Sequence, residues 1–167
     1  YKRQEDNDLE HEDSTTGRES TVSGRVRAMT EATLGVQDAD DDSAEFLKFI
    51  ALTIKNICTV ASDARITVQG IIGAQPRAIA SWINIMDHNM RHLPFIVESI
   101  GVLTLMAIDD DLSLDVASAC SHTLTEAIRT HFDKPEFLAV ALILLAQLAL
   151  NKDNLPTLVQ HGAVKII

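Results

Sequence analysis

The stretch from Pro135 to Ile167, PEFLAVALILLAQLALNKDNLPTLVQHGAVKII, constrains this chain more than any other. Its parts come in a fixed order. An apolar helical run with one central amide, Gln147, ends at the polar break Asn151 to Asn154. A short helix, Leu155 to Gln160, leads to a glycine turn at His161, Gly162 and Ala163, and another apolar run follows. A helix that is apolar on nearly every side must be covered on nearly every side. The pattern therefore predicts helices stacked as repeats, in which each unit leaves an apolar face for its neighbour to cover.

Composition supports that reading. Of the 167 residues, 46% are hydrophobic but only 4% aromatic, so the core must come from Leu, Ile, Val and Ala. Helix packing suits such a core better than a β-sandwich, whose strands favour aromatic and β-branched residues. The net charge is −10, and residues 1–44 hold twelve acids against five bases. A net-acidic chain without a basic cluster argues against nucleic-acid binding and against a polybasic membrane contact. The longest apolar run, Phe137 to Leu150, is shorter than the roughly 20 residues of a membrane span, which predicts a buried helix. Cys58 and Cys120 each fall inside an apolar pattern and read as reduced core residues rather than a disulfide. No apolar leader opens the chain, so the expected location is intracellular, with cytoplasmic as the default. The chain begins with Tyr1 and stops inside an apolar run, and it reads as a piece of a longer protein.

Two regions follow from texture. Residues 1–43 are polar and acidic and are expected to be a disordered tail or linker, with at most a marginal helix at Arg25 to Leu34. Ser20, Thr21 and Ser23, beside Arg18 and Arg25, are candidate phosphate acceptors, although an ordinary solvated tail is the plainer reading. Residues 44–167 are expected to be helical throughout. Ala44 to Val60 carries an apolar stripe of Phe46, Phe49, Ile50, Ile54, Ile57 and Cys58, with Asp42 or Ser43 as its cap. A short helix to about Gly70 and a longer one from Arg77 to Met86 come next, then Leu93 to Ile108 after a turn. Beyond Asp109 to Asp111, a short helix Leu112 to Ser118 and a longer one Ala119 to Thr130 are expected. Asp133 and Glu136 have the spacing of a capping box ahead of the last long helix.

The Gly73-Ala74 and Gly162-Ala163 pairs are 89 residues apart, two periods of 44–45, with Ser118-Ala119 between them. A period of 42–45 with three helices per unit is the spacing of armadillo or HEAT arrays. The run Asn154-Leu155, Val159 and Gly162-Ala163-Val164 resembles the armadillo consensus, and Gly73 to Ile79 resembles that family's Gly-Ala-x-Pro turn and second helix. Ile54 to Cys58 and Leu145 to Ala149 resemble the end of its third helix, Leu-x-Asn-Leu-Ala. The middle unit departs from the pattern, with Ser118 for the glycine and Thr104 or a neighbour for the asparagine. HEAT repeats and a compact bundle are the alternatives. The resemblance implies an all-α, right-handed α-solenoid of about three units. It also implies a non-enzymatic scaffold that holds a protein or peptide along a groove of third helices. Carried over, the groove residues are Leu52, Asn56, Thr104, Ile143 and Gln147. Leu52 and Ile143 stand where the family often has Trp, which removes the stacking pockets for long basic side chains. Asn56 and Gln147 could equally serve local backbone. Trp82 is expected in the core, and assembly through the solenoid ends is the second function considered.

The remaining motifs fall short of chemistry. A calcium loop starting at Asp38 would need Gly and Glu where Ser43 and Phe49 stand, and one starting at Asp109 fails at Leu114 and Cys120. Both acidic runs read as solvated caps and linkers. His88 and His92 have a metal-ligand spacing but straddle a turn without a completing ligand. Gly70 to Gly73 lacks the Lys and Ser/Thr of a phosphate loop, and no nucleophile-base pair emerges from spacing. No cofactor and no metal is expected.

Overall fold

The computed structural model describes residues 42–75 and 77–162, which belong to one compact unit spanning 40–167. The acidic tail, the Arg25 to Leu34 helix, the Ser20 to Ser23 sites and most of the first acidic run lie outside the described residues. Helical backbone runs over 42–60 (α1), then Ser62–Gly73 (α2), Ala78–His88 (α3), Leu93–Met106 (α4), Asp110–Thr130 (α5), Pro135–Leu150 (α6) and Leu155–Gln160 (α7). A 3-10 turn, Lys152–Asn154, joins α6 to α7. The described residues contain no strand, and no single helix among them is long and apolar enough to cross a membrane.

Helices α3 and α4 form one hairpin and α5 and α6 a second, each closed by a four-residue connection. α4 and α6 begin at Leu93 and Pro135, 42 residues apart, and α3 and α5 end at His88 and Thr130, again 42 apart. The hairpins face each other in register: α4 lies on α6 and α3 on α5, with α5 also reaching α7. Between them Phe95, Ile96, Ile100, Leu103, Phe137, Leu144 and Leu148 are closed off from water. Leu and Ile dominate this core, as a chain with so few aromatics requires.

The hairpins are also tied by polar groups. A helix leaves its last carbonyls without partners, and several of these are served by side chains about one repeat away in sequence. Gln69 of α2 donates Nε2 to Leu105 O (2.8 Å), and Gln147 of α6 donates to Ala107 O (3.2 Å), so the α4 C-terminus receives an amide from each. His131 Nε2 bonds Met90 O (2.8 Å); since a carbonyl only accepts, that nitrogen carries the proton. Asn154 Nδ2 donates to Ser113 Oγ (2.8 Å) and Leu148 O (3.0 Å).

Several expectations need correction. The buried stripe of α1 is Ala44, Ala51 and Cys58 with Leu47 and Ile54 beside it, whereas Phe46, Phe49 and Ile57 are exposed. Apart from a polar side with Glu45, Lys48, Lys55 and Asn56, α1 is apolar over more than half of its circumference, so its pattern did not say which part was covered. Asp42 and Ser43 both have helical backbone at the start of the described part of α1. α5 is one unbroken helix through Ser118, and it accommodates its small hydroxyls by bonding them within the helix: Ser121 Oγ donates to Ala117 O and Thr125 Oγ1 to Ser121 O. The middle unit therefore has two helices, not three. The capping box at Asp133 does not form. Lys134 is the N-cap residue of α6 without a side-chain bond, and Asp133 pairs with Lys134 instead. Asp109 does act as a cap, with Oδ1 accepting from Leu112 N at 3.0 Å. His92 caps α4 through Phe95 N.

The two glycine turns also differ. Gly162 is left-handed (φ 79°), but Gly73 is the last residue of α2, and the left-handed residue of that corner is Arg77 (φ 74°). A side chain there costs about 1–2 kcal/mol. Arg77→Gly is therefore expected to raise unfolding free energy by about 1 kcal/mol after the extra chain entropy of glycine. Urea denaturation measures this, and a loss of stability would contradict it.

Candidate functional site

The groove expected from the sequence would run across α1, α4 and α6. α1 meets α4 through Lys55, whose ammonium pairs with Glu98 and whose stem crosses Gly101. A methyl group at Gly101 would stand 2.8 Å from Lys55 Cδ, so the missing side chain allows this close approach. α4 and α6 pack side by side, and their N-terminal ends form a groove of about 450 Å³. Its walls include Leu93, Pro94 and Val97 from α4, with Lys134, Pro135 and Glu136 from the start of α6. The prolines suit their positions, since the first turn of a helix does not use that N–H.

The five sequence-derived residues divide between solvent and structure. Asn56 is exposed and Leu52 half-buried on α1. Ile143 is 57% exposed on α6. Thr104 is half-buried, and its hydroxyl donates to Ile100 O at 2.8 Å in its own helix. Gln147 is half-buried and spends an N–H on Ala107 O. The structure thus brings Gln147 to the α4 C-terminus, three residues beyond Thr104. Its amide bonds the main chain of a neighbouring helix, while Asn56 and Ile143 face solvent.

Two features escaped the sequence reading. One is the groove at the helix starts. Its only signal is the pair Pro94 and Pro135, 41 residues apart and each opening a helix. The other is an acidic cleft of about 420 Å³ where Gln69, Gly70 and Gly73 of α2 face Asp109, Asp111 and Asp115. These carboxylates were legible only as a run until α2 folded against α5. Among the described residues, no three His, Cys, Asp or Glu side chains gather as metal ligands. His88 bonds Asn84 O, and His92 serves as a helix cap. Trp82 is half-buried, and its ring tilts against Phe95 at 6.2 Å.

Both cysteines are buried and free of disulfide. Burial pushes the Cys120 thiol up to about 12 and raises that of Cys58, the latter against the opposing charge of Arg65. Neither is the exposed, low-pKa thiol that reacts readily. In the native protein at pH 8 both are expected to resist a thiol-reactive disulfide reagent, and to react on unfolding. Rapid labelling of either in the folded state would contradict their placement. Holding Cys120 neutral also contributes stability that is complete below the ordinary thiol value of 9.0 and is lost as pH rises from there toward about 12.

No family model, curated protein or solved structure matches this chain.

Proposed function

We propose that this chain is part of a right-handed α-solenoid of armadillo-like units that acts as a protein-interaction scaffold. The observation that carries the reading is the stacking of two helical hairpins offset by 42 residues, α4 on α6 and α3 on α5. A stack of this kind presents equivalent helices side by side, and such a surface suits an extended protein segment. Binding would rest on shape and hydrogen bonds along α1, α4 and α6, without covalent chemistry or a cofactor, in an intracellular and by default cytoplasmic setting. Asn56 and Ile143 are the residues offered for contact. Thr104, Leu52 and Gln147 would shape the floor.

A second reading, assembly through the solenoid ends into a large complex of cytoskeletal or ciliary type, draws on exposed apolar groups. Phe46 and Val60 of α1 are 66% and 86% exposed, and Leu150 and Val159 at the other end are 77% and 60% exposed.

Cross-linking and mass spectrometry of the chain in cell extract test the first reading. Asn56→Asp and Ile143→Glu are expected to lose the cross-linked partners that wild type and the α3 variant Asn84→Asp retain. If both groove variants keep every partner, the groove reading fails. If Phe46→Asp and Val60→Asp lose them instead, the end-on reading takes its place.

A further inference from the structure

Two clefts flank the corner between α2 and α3. They share Ile72, Ala78 and Ile79 as a common wall. The outer one continues to polar groups, Asp115 and Ser118 among them. The inner one, about 200 Å³, is lined by hydrophobic side chains, with Ile54 of α1, Leu103 and Met106 of α4, and Trp82 of α3, whose indole Nε1 is buried without a partner, completing it.

The corner explains the space. Between Gly73 and Ala78 the chain leaves the helix and turns through the left-handed Arg77. The second hairpin has no such break, since α5 runs unbroken from Asp110 to Thr130. Forty-two residues after Ala78 and Trp82 stand Cys120 and Leu124, only 1% and 3% exposed. Equivalent positions are thus closed in the second hairpin, while in the first Ile54, Ile72, Ala78 and Trp82 remain half-buried and form the mouth of the cleft.

The lining decides what fits. A charged ligand would lose its hydration without gaining a partner. The walls offer water little beyond the Trp82 Nε1–H, which has no partner in the protein, and an enclosed apolar cavity of roughly 150 Å³ is known to take up benzene. Trp82 supplies an aromatic wall, against which rings pack edge-on or offset. We propose that this inner cleft is a binding site for a small, uncharged ring compound between benzene and indole in size. The site does not depend on the scaffold reading.

Trp82 is the chain's single tryptophan, so its indole N–H gives one assignable resonance. Titrating the full chain with deuterated benzene is expected to shift that resonance saturably, with a dissociation constant in the millimolar range. Ala78→Leu, which places a larger side chain in the cleft, is expected to weaken binding at least tenfold while circular dichroism remains helical. If that variant fails to fold, contacts between protonated benzene and the Met106 methyl in the wild-type protein decide by nuclear Overhauser effect. A titration that does not saturate by the solubility limit of benzene overturns the site. So does equal binding by a folded Ala78→Leu variant, or the absence of the Met106 contact.

Discussion

Phe137→Ala is expected to cost about 3–5 kcal/mol of unfolding free energy, the range for removing a fully buried aromatic ring. Phe137 is 0% exposed in the first turn of α6. Its ring meets His131 edge-on at 5.3 Å, and His131 in turn bonds Met90 O. The ring therefore sits where the second hairpin closes on the first, and its removal leaves a void that stiff helix starts fill poorly. Phe137→Leu keeps most of the volume and is expected to lose about 1.5 kcal/mol or less. Phe132 is the control. It lies five residues earlier in the same region but is 71% exposed, so Phe132→Ala is expected to change stability by about 0.5 kcal/mol or less. Urea denaturation of the three variants checks the placement, and similar costs at Phe132 and Phe137 would show that the core has been drawn in the wrong place.

Asn154→Ala is expected to cost about 2–3 kcal/mol, through two hydrogen bonds lost from a buried site at about 1–1.5 kcal/mol each. The Asn154 side chain is 1% exposed and donates to both Ser113 Oγ and Leu148 O. Leu148 O belongs to the last turn of α6, where carbonyls lack an α-helical partner, and it accepts from the Asn151 backbone N–H (3.3 Å) as well as from Asn154. Asn154 thus holds α5, α6 and α7 at the corner where the chain turns by 109° between α6 and the helical segment Lys152–Gln160. Ser113→Ala removes only one partner and is expected to cost about 1 kcal/mol. A double-mutant cycle between the two sites should show coupling of about 0.5 kcal/mol or more. Additive effects would mean that the bond between them contributes nothing measurable.

The helical class and most helix limits were legible from punctuation. Pro94 and Pro135 sit in first turns, Asp109 caps α5 as an acid before an apolar run should, and Leu155 to Gln160 was read with its observed limits. Breaks were less reliable where small polar residues stood. Ser118-Ala119 reads as a turn beside Ser113, Ser121, Thr123 and Thr125, yet those four hydroxyl residues are buried inside α5. Hydroxyls that bond the carbonyl four residues back can be buried in a helix, and nothing local distinguishes them from residues that end one. Of the candidate groove, Asn56 and Ile143 are exposed. The bond from Gln147 to Ala107, 40 residues away, was not legible. Which polar residue meets which carbonyl depends on the packing of whole helices.

The sequence by itself determined that the described residues are helical and that their core is aliphatic; it put the repeat at 44–45 residues, where the structure offsets the two hairpins by 42. Each of these follows from near neighbours: helix-breaking residues, caps, and the periodic placement of apolar groups. Only the tertiary structure decided which face of α1 is covered, that α5 continues through Ser118, that two amides converge on the end of α4, and that α2 and α3 part to leave an apolar cleft beside Trp82. A helix that is apolar on most sides can satisfy its burial against several partners. The choice among them is made by long-range packing, and by side chains that reach carbonyls, or in one case the Ser113 hydroxyl, 36 to 41 residues away.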